Sequence, residues 1–542
     1  MRSDVWRACG LALLLTAGAA RAQVAVNSTV APPGDASLQV QDGAVLLSLD
    51  EAVEVALRHN LGLIVERYTR AQARLGIQQN LGMYDTLANA TATAAERTSP
   101  AISQLLASSS NRQAFNFDFS QLMPTGGRLS LGWENSREES DLAFQSFNPS
   151  FDSNLSFGLV QPLLRDFGRN IQERQLLLAR SRSQVSSQEF ERQVTLTIQQ
   201  VVNAYWDLVE ARQQLIVAQQ SLGLARELHD RNRIQVEVGT MAPLELVQSE
   251  AAIATREEDI IRSQASIGDA EDVLRRLLNL PDGALWATEI RPATDPEMER
   301  VPIDLEESIQ TALAERPELR AQQLQIQQAQ IESRFFRNQT LPSLDFNVSY
   351  GTRGAGGNLI VRDDETGEII RTVPGGFGDA FEQVSGFDFD GWSTALVFGF
   401  PLQNRAARAQ KAIADLDLER AQTEMQDLRQ AIVTEVRQAV RRVETAAKQI
   451  DAARISRQFQ EKNLEAEKKR YENGMSTSFQ ITQIQEDLTF AKSREVTAVI
   501  AYRTALAEYQ RAIGRLTESE GVTLEDPADP EPTRPWRFRL WQ

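Results

Sequence analysis

From Asn404 to Asn473 the chain contains neither glycine nor proline, a span of 70 residues. As a single helix it would reach ~105 Å at ~1.5 Å per residue, several times the length of an average globular helix. A second span, Asn170 to Val238, is interrupted only by Gly223. Rods of this length cannot fold around one compact core. They need partners along their whole length.

The two rods are copies. Ile198, Val201, Tyr205, Leu208, Ala211 and Leu215 correspond, at a shift of 235 residues, to Val433, Val436, Val440, Val443, Ala446 and Ile450. This is the spacing of one helix face. Val194, Val201, Leu208, Leu215 and Leu222 recur every seven residues, which predicts left-handed coiling against a partner helix. At the same shift Gly239 aligns with Gly474, so "EVGTMAPLEL" (237–246) and "ENGMSTSFQI" (472–481) break the rods at equivalent points. Glycine ends a helix by entering the left-handed region. A return helix follows each break, to Leu280 and to about Arg515. A helix near 61–84, stacked end to end on the return helix 243–280, would pair along the whole first rod.

The duplication extends upstream. "LSLDEAVEVALRHNLGL" at 47–63 returns as "IDLEESIQTALAERPEL" at 303–319. Each copy opens with a capping signal, Ser48 with Glu51 and Asp304 with Glu307. Pro317 stands where the first copy has Leu61, so each short helix is expected to end there and another to begin. Strand signals follow. Leu155, Phe157 and Leu159 alternate up to Pro162; Leu344, Phe346, Val348 and Tyr350 alternate, as do Leu396, Phe398 and Phe400 before Pro401. At least one hairpin per copy, four strands in the chain, is the expectation. "FNFDFSQLMPTGGRLSLGW" at 115–133 predicts an additional or lengthened hairpin with no counterpart in the second copy. "GTRGAGG" at 351–357 lacks a following helix start or Gly-Lys-Ser and reads as a flexible hairpin loop, not a phosphate cradle.

The N-terminus sets the compartment. Arg2 and Arg7 lead into the apolar run Ala8–Leu15, and Ala20-Arg21-Ala22 precedes a cut at Gln23, the pattern of a secretory signal. That run is too short to span a bilayer, and no later segment offers ~18 uninterrupted apolar residues. A helical integral membrane protein is excluded. Cys9, the one cysteine, lies inside the signal without a lipobox, so the mature chain is expected to lack disulfides, a thiol catalyst and a lipid anchor. Losing three Arg and one Asp with residues 1–22 moves the formal charge from −17 (57 minus 74) to −19 (54 minus 73). Nucleic acid is not an expected partner of such a surface.

His59 and His229 stand far apart without ligand spacing, so no metal site is expected. "REED" at 256–259 reads as a solvated coiled-coil face. No nucleophile–base pair or paired carboxylates stand out, so no catalytic residue and no cofactor are expected. Four strands cannot close a barrel, and a bare-edged sheet would aggregate or fail in a membrane. Several copies must contribute strands.

The signal peptide and the duplicated helix–strand–strand–long helix–turn–helix order resemble the outer membrane factor (TolC-like) efflux family. So do "LPSLDFNVSY", "QPLL" and "FPLQNR" at strand ends, and a Gly turn followed by Leu/Ile-x-x-x-Gln. The resemblance covers roughly residues 47–516. It implies a mainly α fold with β: a homotrimer whose twelve strands form a lipid-embedded outer-membrane β-barrel, continued through the periplasm by a coiled-coil α-barrel of twelve helices. Such a protein is a passive exit duct of a tripartite efflux pump or type I secretion system, docked by a periplasmic adaptor and served by an inner-membrane transporter. The expected layout is signal peptide 1–22, N-terminal extension 23–46, first repeat 47–281, equatorial linker 282–302, second repeat 303–516 and Pro-rich tail 517–542, whose Trp residues would pack on the equator.

The resemblance also implies that the turns Gly239, Thr240, Met241, Ala242, Pro243 and Gly474, Met475, Ser476, Thr477, Ser478 lie at the periplasmic entrance and meet the adaptor. Some members carry acidic residues just past the second turn; Gln480 and Gln483 stand there instead. Glu245 holds the corresponding place after the first turn. Three carboxylates at a constriction would favour cations, and a solvated helix-face Glu is the alternative. A periplasmic adaptor is the alternative for the whole chain, although adaptors usually show one helical hairpin between halves of a small β-domain.

Overall fold

The computed structural model describes residues 40–41, 44–100, 107–142, 145–280, 286–296, 300–363 and 367–522. The signal peptide, most of the 23–46 extension and residues 523–542 of the tail lie outside the described residues.

Short strands β1 (Val40–Gln41) and β2 (Ala44–Leu47) lead into helices α1 (Leu49–His59) and α2 (Leu61–Leu81). Ser48 and Glu51 form the expected reciprocal cap, and Asn60 ends one helix and caps the next. Four long strands follow: β3 (Leu87–Thr98), β4 (Ser109–Leu122), β5 (Arg128–Ser140) and β6 (Phe147–Pro162). The first rod is α3 (Arg174–Glu237), 64 residues, and its return helix is α4 (Leu244–Leu278). Strand β7 (Glu289–Pro292) lies in the linker ahead of the second copy, which runs α5 (Leu305–Glu315), α6 (Pro317–Gln339), β8 (Ser343–Arg362), β9 (Ile369–Val373), α7 (Phe377–Gly386) and β10 (Asp390–Gly399). It closes with the second rod, α8 (Arg405–Glu472), 68 residues, and α9 (Ser478–Ala512). Pro317 is the first residue of α6, where its missing N–H costs no helical hydrogen bond.

The helices form four columns. Helices α2 and α4 both pack along α3, while α6 and α9 both lie between α3 and α8. Asn60, at the start of α2, donates to the Leu277 carbonyl at the end of α4 over 2.9 Å, so these two stack end to end. Val194, Val201 and Leu208 of the heptad series are 1, 0 and 0 % exposed, but Leu215 is only half-buried. At the equator β1, β2 and β7 form a small sheet, with β2 and β7 parallel. Tyr205 of α3 seals it, donating to the Leu47 carbonyl (3.1 Å) and accepting from the Thr294 amide (3.0 Å). Among the described residues no helix is long and apolar enough to cross a membrane.

The large sheet has the order β10-β8-β6-β5-β4-β3, with β9 pairing β8 off this path. Six long strands therefore replace the expected four. The 115–133 segment is a true hairpin, β4–β5, closed at Met123–Gly127 with Gly126 at φ +93°. Strand β3 escaped notice because its apolar face is only Ala88, Ala90, Ala92 and Ala94; the bulk opposite comes from Phe119, Phe117 and Phe115 of β4. "GTRGAGG" is also corrected. It lies within β8, paired with β6 from Gly351↔Ser156 to Gly357↔Ser150. Its glycines serve contact, not flexibility: a Cβ on Gly354 or Gly356 would collide with the backbone of α7. Helix α7 lies flat on this strand, Gln383 bonding both backbone groups of Ala355, with Phe377 against Phe115 and Phe381 against Trp133.

Candidate functional site at the two helix turns

Both rods end in the same backbone motif. In the first, the Gly239 amide donates to the Val236 carbonyl (3.0 Å) and the Thr240 amide to the Gln235 carbonyl (2.9 Å). In the second, Gly474 donates to Tyr471 (2.9 Å) and Met475 to Arg470 (2.8 Å). These are paired Schellman bonds, which need a residue of positive φ just past the helix. Gly239 and Gly474 supply it at +79° and +74°.

The return helices start differently. Thr477 caps α9, its hydroxyl accepting from the Gln480 amide (3.3 Å) while the Gln480 side-chain oxygen accepts from the Thr477 amide (3.4 Å) and stands 2.9 Å from the Ser476 hydroxyl. Gln480 is thus committed to holding the turn. Helix α4 begins after Pro243 with no side-chain cap; the Thr240 hydroxyl instead bonds back to the Gln235 carbonyl (3.0 Å).

The two turns, distant in sequence, are joined to each other. Glu245 of α4 accepts a hydrogen bond from the Ser478 hydroxyl at the start of α9 and is half-buried. Nearby, the Tyr471 hydroxyl donates to Asn232 Oδ1 at 2.6 Å and stands 3.2 Å from Gln235 Oε1. Burial pushes the Tyr471 hydroxyl pKa up, and the Glu245 charge adds to the shift. Beneath lies an apolar cluster of Leu228, Leu464, Tyr471, Ile481 and Leu488, with Met241 against its side. Arg231 spans the rods, pairing with Glu227 (2.7 Å) and Glu472 (2.9 Å). Buried Glu467 receives Arg470 (3.2 Å) and the Ser476 hydroxyl. Around this polar lock the tip presents apolar side chains: Val238, Leu244, Met475 and Phe479 are each 64–68 % exposed.

Geometry therefore brings Met241, Glu245, Ser476, Ser478 and Gln480 into one assembly and leaves Thr240, Ala242, Pro243 and Met475 on its rim. Gln483 stands apart, exposed in an open cleft between α3, α4 and α9. That cleft is acidic, with Asp207, Glu210, Asp259, Glu486 and Asp487 against Arg256 and Arg262. Burial, and then the neighbouring Glu210, raise the Asp207 pKa. Arg256 of "REED" is no free solvated side chain; it is mostly buried and bridges to Glu486 of α9 at 2.9 Å. Tyr471 and Asn232 were missed, because their contact joins residues of different copies. His229 Nδ1 lies 2.9 Å from Ser249 Oγ, and His59 is buried at the end of α1. Among the described residues no cluster of His, Cys, Asp and Glu is arranged to hold a metal.

The family model described as outer membrane efflux protein matches residues 120–280 and 308–515. No curated protein matches the sequence. Among solved structures, the CmeC outer membrane channel of Campylobacter jejuni superposes with a TM-score of 0.61 at 16% identity, covering 86% of each chain. VceC, an outer membrane protein of Vibrio cholerae, gives 0.61 at 13% identity, covering 86% of this chain and 96% of that one. The MtrE outer membrane channel of Neisseria gonorrhoeae, in its open state, gives 0.57 at 17%, covering 86% and 89%. At such identities the likeness is one of fold. The adaptor alternative finds no counterpart among these similarities.

Proposed function

The chain belongs to the outer membrane efflux protein family, and on that premise we propose that it is a passive exit duct in the outer membrane. Three copies would close a β-barrel from their sheets and a periplasmic tube from their helical columns. A periplasmic adaptor would dock at the turns Gly239–Pro243 and Gly474–Ser478, and an inner-membrane transporter of an efflux pump or type I secretion system would feed the duct. The observation that carries this reading is one chain combining a bare-edged amphipathic sheet with rods of 64 and 68 residues. A sheet edge that long needs another strand, and rods of ~100 Å suit a tube crossing an aqueous compartment. The exposed apolar rim formed by Val238, Leu244, Met475 and Phe479 supports docking at the tip, where the scaffold holds both turns in register. Glu245, threefold repeated, would place carboxylates near the entrance.

The test is fractionation combined with cross-linking. A heat-resistant oligomer in the outer membrane, and capture of an adaptor by photo-cross-linkers placed at 240–242 and 475–477, is the expected result. A monomer in the soluble periplasmic fraction would refute the duct.

A further inference from the structure

The hairpin β4–β5 lies inside the sheet, between β3 and β6, not hung on its edge. It is paired over its full length on both sides: β4 with β3 from Leu87↔Ser120 to Thr98↔Ser109, and β5 with β6 from Arg128↔Val160 to Glu138↔Ser150. Directly paired residues share a face. One row across the sheet reads Ala88, Phe119, Leu131, Phe157, Tyr350, Trp392, all apolar or aromatic. The adjacent row on the other face reads Asn89, Asp118, Gly132, Ser156, Gly351, Gly391, all small or polar. The inserted strands keep the same phase as their neighbours. That is the alternation of a barrel wall, lipid outside and water inside, and strands of 14 and 13 residues exceed the ~9–11 needed to cross a bilayer.

We propose that the hairpin β4–β5 is built into the barrel wall, so that three copies close an eighteen-stranded barrel whose bore matches the helical tube beneath it. This rests on the trimeric duct reading above. The edges fit a second copy: β3 climbs away from the helices and β10 returns to them, so β10 of one copy meets β3 of the next antiparallel. Both edge strands, 12 and 10 residues long, are exposed almost throughout.

The perimeters agree. Twelve helical columns at ~8–10 Å spacing make a ring of ~96–120 Å. Eighteen strands at ~4.8 Å spacing, tilted ~40°, make a ring of ~113 Å. The backbone diameter is then ~36 Å, and the inward row at Gly132, Ser156, Gly351 and Gly391 fills little of it.

Electron cryomicroscopy of the full chain in lipid nanodiscs tests this directly. Threefold particles with eighteen strands and a wall diameter of ~36 Å, with Leu131 and Phe157 facing lipid, are expected. Threefold particles with a twelve-stranded wall and residues 109–140 folded outside it would overturn the inference and leave the duct intact. Particles without threefold symmetry would overturn the duct reading and the inference together.

Discussion

Single side chains decide how the two turns are held together. Glu245 was open to two readings from sequence, a charge at the constriction or a solvated helix face. Its contact with Ser478 fits neither simply, since the carboxylate is half-buried and pinned to the opposite turn. A pinned carboxylate keeps its position relative to both turns, and if these form the proposed entrance, three copies would act as a fixed negative ring. Glu245→Gln should therefore reduce cation selectivity, read as a smaller reversal potential across a KCl gradient in planar bilayers. Ser478→Ala, which frees the carboxylate without neutralising it, should preserve most of the selectivity. Unchanged selectivity in Glu245→Gln would remove Glu245 from the conduction path. The positions of both turns were legible, because a glycine after a long glycine-free helix has one conventional use. The Glu245–Ser478 and Tyr471–Asn232 contacts were not, because each spans more than 230 residues and no periodicity reports which tips meet.

Elements were legible in proportion to how much of their signal is carried by their own residues. The rods advertise themselves through missing Gly and Pro and a repeated apolar face. Strand β3 does not, since its alanines pack against aromatic residues of β4, and the glycines of β8 imitate a loop because the helix they receive, α7, lies downstream. The junction of α6, α8 and α9 was equally hidden. There Glu435 of α8 binds Arg316, which precedes α6, and Arg511 of α9; Arg316 also pairs with Glu318 at 2.9 Å. Burial pushes the Glu435 carboxyl up, but hydrogen bonds and charge from Arg316 and Arg511 outweigh it and hold the pKa below the usual 4.5. A carboxyl whose folded pKa is depressed stabilises the fold above its unfolded value, and that contribution is lost as pH falls through the folded value. Acidification below about pH 4.5 should thus loosen this junction, where unfolded-state carboxyls begin to take up protons. Glu435→Gln should cost about 1–3 kcal/mol at neutral pH, discounted from a fully buried pair because Glu435 is partly exposed. It should also flatten the acid limb. Thermal unfolding followed by helical circular dichroism from pH 7 to pH 3 measures both, and an unchanged acid limb would show that other carboxylates carry it.

At the scale of the molecule, one chain leaves apolar side chains uncovered on both flanks of its row of helices. Along α8, Ile413, Leu416, Ile455 and Phe459 are 52–65 % exposed, and on the opposite flank so are Leu61, Val65 and Tyr68 of α2 and Val247 and Ile261 of α4, at 51–67 %. Scattered apolar side chains on a surface need no explanation, but extended apolar patches mark an interface. These two flanks end the row of four columns, as β3 and β10 end the sheet. Copies set side by side would cover both pairs of edges at once, so strand pairing and helix packing select the same neighbour. Heat resistance of the oligomer should then depend on the helical flank as well as the barrel. Burying a Phe contributes about 1.5–3 kcal/mol, and a carboxylate in its place adds the cost of desolvating a charge. Phe459→Glu and Leu416→Glu should each shift the protein from oligomer to monomer on semi-native gels, while far-UV circular dichroism keeps the helical signal of the rods. Phe490→Glu is the control: Phe490 is 59 % exposed on α9, but α9 already has a rod on either side, so this variant should remain oligomeric. Full oligomer in both α8 variants would mean that the barrel alone holds the copies together, and the helical tube would then be free to open without dissociating.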